Sequence, residues 1–317
     1  MSEAHWRPSC TRQILCRRAA LVERMREFFR SRDVLEVDTP VLQSGANLDH
    51  GVVPFVLETT QGRRFLPTSP EHPLKRLVTA GFGAVWTLAP AFRADERGQR
   101  HAPEFRMLEW YRPDWNDYRI AEETVALCCA LTGLAATTES LTWREAFRRH
   151  AGLDPARVDD ATLVATLGED AQAVISDGRL DRSAALDLLL TQRVEPHLGQ
   201  GCWTLLTDYP AQACAQARLR TGEDGEPVAA RFELYRNGVE LANGYWELND
   251  AVELELRLRH ELRERQAGEI LDGYFLAAMS EGLPDCAGVA VGFDRLVMLA
   301  LGLDDIADTQ AFSWARA

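Results

Sequence analysis

Apolar residues return every three or four positions through Leu15, Ala19, Val22, Met25 and Phe29, which predicts an amphipathic helix over roughly 11–31. A short strand, Val34-Leu-Glu-Val37, follows and is ended by Pro40. Strands are expected around 52–58 and 63–67, then a helix near 70–80 with Pro70 in its first turn and Gly81 at its stop. Two more strands, 84–93 and 104–112, flank the polar loop Ala94-Asp-Glu-Arg-Gly-Gln-Arg-His-Ala102. From about 117 to 200 the pattern turns helical, with Thr142-x-x-Glu145 as a capping box and an Ala/Asp-rich run over 154–188. Strands resume near 203–207 and 229–250, helices cover 251–280, and a strand at 287–291 feeds a helix that begins near Phe293. Long strand pairs without regularly alternating helices predict an α+β fold, an antiparallel sheet flanked by helices. One domain over 1–317 is expected, with 117–200 as a mostly helical accessory segment.

Within 229–250 three glutamates recur at equal spacing, Glu233, Glu240 and Glu247. A seven-residue interval suggests one helix face, but Asn237-Gly238 and Asn243-Gly244 are turn or bulge dipeptides that interrupt helical periodicity. The better reading is a hairpin turning at Arg236-Asn237-Gly238. An odd offset sets Glu240 and Glu247 on opposite faces of a regular strand, so a bulge near Gly244 is needed to bring them together.

Composition narrows the class. The 317 residues are 46% hydrophobic and 26% charged, enough to bury a substantial core. No run approaches the length of a membrane span, and the first residues hold no apolar stretch resembling a secretory signal, so a cytoplasmic, non-membrane protein is expected. Seven scattered cysteines without CxxC spacing indicate neither a disulfide framework nor a zinc site. A net charge of −13 disfavours broad contact with RNA and suits a basic protein partner better. Lys75 is the only lysine, which fits arginine-favouring codon usage or, more sharply, a chain that avoids modification of its own lysines.

Three segments could carry chemistry. Alternation through Glu104-Phe-Arg-Met-Leu-Glu-Trp-Tyr111 puts Phe105, Met107, Glu109 and Tyr111 on one face, either a solvated surface or a cleft floor that stacks a planar group and binds a cation. Upstream, Arg93, Asp95, Arg97, Arg100 and His101 form a cluster able to meet phosphate oxygens. Downstream, Gly288-Val-Ala-Val-Gly-Phe-Asp-Arg295 runs from strand to helix with small residues that allow close backbone approach.

The order of these segments resembles the three motifs of class II aminoacyl-tRNA synthetases. Thr68-Ser-Pro-Glu71 with Leu74-Lys-Arg-Leu77, His101-Ala-Pro-Glu-Phe105, Met107-Leu-Glu109, Glu240-Leu-Ala-Asn-Gly244 and Glu247-Leu-Asn-Asp250 are similar to lysyl-tRNA synthetases over about 15–314. An N-terminal anticodon-binding barrel is missing from the pattern. With Glu109-Trp-Tyr-Arg-Pro113 and the ending Val297-Met-Leu-Ala-Leu-Gly302, this resembles the elongation factor P–lysine ligase family. The resemblance implies that a lysine-type amino acid, (R)-β-lysine by preference, is activated by ATP and Mg2+ and transferred to elongation factor P, with tRNA not expected as acceptor. It further implies a homodimer formed through residues near 15–40.

By the same resemblance Arg93 contacts the α-phosphate and the attacking carboxylate, His101 and Arg295 the outer phosphates, and Phe105 stacks on adenine. Asp95 takes the place of an adenine-contacting glutamate, and Leu241 and Gly292 complete the ATP site. Glu233 and Glu240 suit magnesium, which favours oxygen ligands and few protein carboxylates. Glu109, Tyr111 and Glu247 would hold the distal ammonium, Glu71 the other amine, with Ser69, Pro70 and Ala290 beside them.

Three positions depart from the synthetase pattern. Ala290 replaces a glycine and should reshape the pocket floor, as expected for β-lysine. Ala94 and Ala102 replace asparagines, which is expected to weaken ATP binding. Two alternatives follow: a catalytic-domain-only lysyl-tRNA synthetase, or a synthetase-like regulator that binds an amino acid or adenylate without turnover.

Overall fold

The computed structural model describes residues 6–48, 51–176, 179–265 and 270–317. Of the helices expected over 251–280, residues 266–269 lie outside the described residues. The chain divides into two compact units, one formed by residues 1–134 with 244–317 and the other by 135–243.

The first unit opens with α1 (Arg12–Arg30), started by Thr11, whose hydroxyl accepts from the Ile14 amide. Of the apolar stripe predicted from sequence, Met25 and Phe29 are buried, Leu15 and Val22 half-buried and Ala19 exposed; Leu21 and Phe28 complete the buried face, and Phe29 stacks on Trp86 with ring centroids 4.7 Å apart. Burial of each such aromatic stabilises the fold by about 1.5–3 kcal/mol. Next come β1 (Leu35–Glu36) and the hairpin of β2 (Val56–Thr59) and β3 (Gly62–Phe65). Helix α2 (Glu71–Thr79) begins one residue after Pro70, which stands at the N-cap rather than inside the first turn. Strands β4 (Val85–Phe92) and β5 (Glu104–Pro113) pair antiparallel, and β1 runs parallel to β4. Helix α3 (Asp117–Thr132) then supplies Glu123, a buried acceptor for the Trp110 indole and the Arg112 guanidinium.

Residues 117–134 thus belong to the first unit, and 135–200 belong with the strands that follow. The second unit holds β6 (Thr138–Thr142), α4 (Trp143–Ala146), α5 (Asp160–Leu167), β7 (Ile175–Ser176), β8 (Arg179–Leu180) and α6 (Arg182–Leu189). The capping box forms as read from sequence, Thr142 with Glu145. Strand β9 (Trp203–Pro210) runs parallel to β6 and antiparallel to β11 (Pro227–Arg236), which also pairs with β10 (Leu219–Thr221). Asn237 and Gly238 turn the chain with φ of 53° and 69°, the left-handed pair that a two-residue hairpin requires. The chain leaves this unit at Asn243, within β12 (Val239–Trp246).

Back in the first unit, α7 (Ala251–Glu264) and α8 (Gly273–Gly282) are started by Asp250 and Asp272, whose carboxylates accept from the first amides of each helix. Strand β13 (Cys286–Gly292) pairs antiparallel with β5 and runs into α9 (Phe293–Leu301). Leu74, Val78, Phe275, Met279 and Cys286 pack with Tyr111 of β5 in one buried core. The fold is α+β with mostly antiparallel pairing, as the patterning predicts.

Candidate active site

Glu71, Lys75, Glu109, Tyr111 and Glu247 are buried together in the first unit. Two registers fix this. In β5, Glu109 and Tyr111 share a face; across the ladder Ala290 lies opposite Glu109, and Gly288 opposite Tyr111. A β-carbon built on Gly288 would stand 2.3 Å from Tyr111 Cε1 and 2.4 Å from Glu247 Oε1. Glycine is therefore what lets the phenol and the carboxylate approach the strand. Glu247 follows β12, and its amide donates to the Cys286 carbonyl at 3.0 Å.

Hydrogen bonds orient the group. Ser69 Oγ donates to Glu109 Oε2 at 2.6 Å and accepts from the Glu71 amide at 3.0 Å, so one hydroxyl ties the start of α2 to β5. Tyr111 donates to Glu109 Oε1 at 2.8 Å. Burial, then the neighbouring Glu71 charge, pushes the Glu109 carboxyl up to about 8 against the hydrogen bonds from Ser69 and Tyr111 and the Lys75 charge. Burial likewise raises the Tyr111 phenol well above its ordinary value, so it stays a neutral donor.

Lys75 lies within this cluster. Its Nζ is 2.5 Å from Glu71 Oε1 and 2.7 Å from Glu247 Oε2. Burial works against its charge, but the Glu247 and Glu71 carboxylates outweigh that and hold the ammonium above the ordinary lysine range. Sequence reasoning gave Lys75 no place in the site. The signal available was its i,i+4 spacing from Glu71 on a predicted helix.

A second cluster in the same unit gathers the arginine-rich loop. Arg93 lies over the Phe105 ring at 5.3 Å and pairs with Glu96 at 3.0 Å, a partner that sequence reasoning missed. Arg295, in the first turn of α9, donates to the Arg100 carbonyl at 3.1 Å and lies 2.5 Å from His101 Nε2. Burial, then the Arg295 charge, lowers the His101 imidazole below its ordinary value, so it is neutral at pH 7. Asp95 is exposed. Gly292 starts α9, and a β-carbon there would make only ordinary contact with Arg295, 3.6 Å at nearest. Ala102 is buried against Met298 and Ile306, an apolar setting that a carboxamide would not suit.

Glu233, Glu240 and Leu241 belong to the second unit, Glu247 to the first. Glu233 is buried and fully engaged: Arg231 Nη2 meets Oε1 at 2.5 Å and the Tyr235 hydroxyl donates to Oε2 at 2.6 Å. Arg231 also donates to Asn243 Oδ1 at 3.2 Å. Glu240 is half-buried, and Leu241 is buried. The oxygen donors suit a hard cation, although no group of three or more metal-ligating side chains occurs among the described residues. The remaining ligands of such an ion would be phosphate oxygens and water.

Known proteins resemble this chain along its whole length. The family model for class II tRNA synthetases (D, K and N) matches residues 4–316. The proteins named elongation factor P–(R)-β-lysine ligase from Salmonella paratyphi B and Salmonella schwarzengrund are each 41% identical over 328 aligned positions, covering 100% of this chain and 100% of theirs. The chain belongs to the elongation factor P–(R)-β-lysine ligase family, within the class II tRNA synthetases.

Proposed function

We propose that this protein is an ATP-dependent ligase that activates a lysine-type amino acid, (R)-β-lysine by preference, and joins it to a lysine side chain of elongation factor P. The observation that carries this is the buried trio Glu71, Glu109 and Glu247 with Tyr111, a site chemically suited to a molecule with two amines. Membership of a family whose members bear that name supports the acceptor.

In the first step an oxygen of the substrate carboxylate attacks the α-phosphorus of ATP, forming the mixed anhydride and releasing pyrophosphate. Catalysis of such a displacement is mainly positioning and charge neutralisation. Arg93 is proposed to meet the α-phosphate and the incoming carboxylate, Arg295 and His101 the outer phosphates, and Phe105 the adenine. In the second step the neutral ε-amine of the acceptor lysine attacks the carbonyl, AMP leaves with the electron pair of the broken anhydride bond, and the nitrogen loses one proton to solvent as the amide forms. Glu233 and Glu240 are the candidates to hold Mg2+, which when bound supplies neutralisation of phosphate charge. Two buried carboxylates around an ammonium disfavour a neutral side chain, since an unpaired buried charge costs about 3–5 kcal/mol.

A homodimer in the cytoplasm completes the reading. Leu35, on the β1 strand that contacts α1, is exposed within the segment near 15–40 expected to form the two-fold contact, and Val41 and Leu42 are exposed just after it. No helix among the described residues is long and apolar enough to cross a membrane.

The test is pyrophosphate exchange with magnesium-ATP and (R)-β-lysine, α-lysine or no amino acid, followed by transfer to elongation factor P or to tRNA. Exchange dependent on (R)-β-lysine and label in elongation factor P are expected. No amino-acid-dependent exchange retires the enzyme reading in favour of a non-catalytic binder, and label in tRNA alone retires the proposed acceptor.

A further inference from the structure

Lys75 is the only lysine in the chain, and its side chain is 1% exposed. Its Nζ joins carboxylates from two separate elements, Glu71 on α2 and Glu247 after β12. The two oxygens are thus held no farther apart than the sum of 2.5 and 2.7 Å. Two buried carboxylates at that separation repel strongly unless a cation lies between them. Ser69 links the same α2 terminus to Glu109, so one hydrogen-bonded framework spans all three carboxyls.

We propose that Lys75 is a positioning residue, a resident cation that fixes Glu71 and Glu247 and sets the charge of the pocket for a substrate with two amines. With the site ionised, Glu71, Glu109 and Glu247 carry three negative charges and Lys75 one positive. The remainder is two, the number of ammonium groups that a lysine-type amino acid brings. A neutral residue at 75 would leave three charges to be met by two, and Glu71 and Glu247 would part. The same pairing keeps the Lys75 amine protonated, without the lone pair needed to attack an activated carboxyl formed beside it. This inference rests on the proposed lysine-type substrate.

Because the chain has one lysine, protein grown on 13C,15N-labelled lysine carries a single reporter at the site. Its Nζ signal is expected to remain that of an ammonium through pH 10 and to shift saturably when unlabelled (R)-β-lysine or α-lysine is added. Norleucine, which lacks the distal amine, is expected to leave it in place. Lys75→Met is expected to raise the KM for the diamine amino acid about tenfold and to lower its preference over norleucine by a similar factor, with the KM for ATP unchanged. A loss of stability alone would depress both amino acids alike.

A signal that ignores an amino acid supporting exchange, or a Lys75→Met enzyme with unchanged selectivity, overturns the role. A signal that shifts on adding the diamine in a protein that catalyses no exchange retires the reaction and keeps the role. Should Lys75→Met fail to fold, the wild-type titration still decides.

Discussion

Ala290 stands directly opposite Glu109 in the β5–β13 ladder, so its methyl and the carboxyl share one face of the sheet. That methyl occupies space beside a group proposed to read the distal amine. Ala290→Gly should shift the ratio of kcat/KM toward α-lysine by about tenfold, the low end of what one carbon contributes in a fitted pocket. Pyrophosphate exchange with both isomers measures it, and an unchanged ratio removes Ala290 from the specificity argument.

The neighbouring register position gives an opposite prediction. Gly288→Ala would drive a β-carbon into Tyr111 and Glu247. Overpacking of this kind costs about 1–3 kcal/mol, and here it displaces two proposed substrate contacts. Amino-acid-dependent exchange should fall at least a hundredfold while ATP binding, followed by calorimetry, persists. Retained exchange would mean that Tyr111 and Glu247 do not touch substrate.

Glu109 should make amino-acid affinity depend on pH. Its carboxyl, pushed up to about 8, holds a proton at neutral pH in the free enzyme. An arriving ammonium selects the ionised form, so binding releases that proton below pH 8. Affinity should rise by up to about tenfold per unit between pH 6 and 8 and then level off. The fold responds with the opposite sign, because its carboxyl binds a proton more tightly than the unfolded chain. Glu109's contribution is present below the ordinary carboxylate value of 4.5 and lost as pH rises through about 8. Glu109→Gln should abolish both slopes, as seen by binding calorimetry and denaturant melts at pH 5 and 8.5. A persisting binding slope would assign the proton elsewhere.

Elements were legible from sequence where periodicity and punctuation agree. The C-terminal part of the α1 stripe, at Met25 and Phe29, the Asn237-Gly238 turn and the alternation from Phe105 to Tyr111 all read directly, because each is local. The meeting of α2, β5 and Glu247 was legible only through motif order, since it depends on contacts between segments far apart in the chain. Lys75 went unread for that reason: its partner on α2 is local, but Glu247 is 172 positions away by residue number, 75 against 247. The strand glycines were read as allowing close approach, yet only the structure separates Gly288, where a β-carbon clashes, from Gly292, where it does not. Ala102 looked like a lost amide; its apolar surroundings show a side chain matched to its place. The equal spacing of Glu233, Glu240 and Glu247 proved to cross a boundary between compact units.

Glu233 and Glu240, paired in the magnesium proposal, are held very differently, and that separates their roles in an experiment. Glu233 is buried and accepts from Arg231 and Tyr235, whereas Glu240 is half-buried. Removing one member of a buried ion pair strands the other, a cost of roughly 3 kcal/mol. Glu233→Gln should therefore lower the melting temperature by several degrees, even without ligands. Glu240→Gln should leave melting nearly unchanged and raise the magnesium concentration for half-maximal exchange several-fold. The decisive reading is Glu240→Gln, since a normal magnesium requirement there would exclude it as a ligand and leave Glu233 as a residue that holds Arg231 and Tyr235 in place.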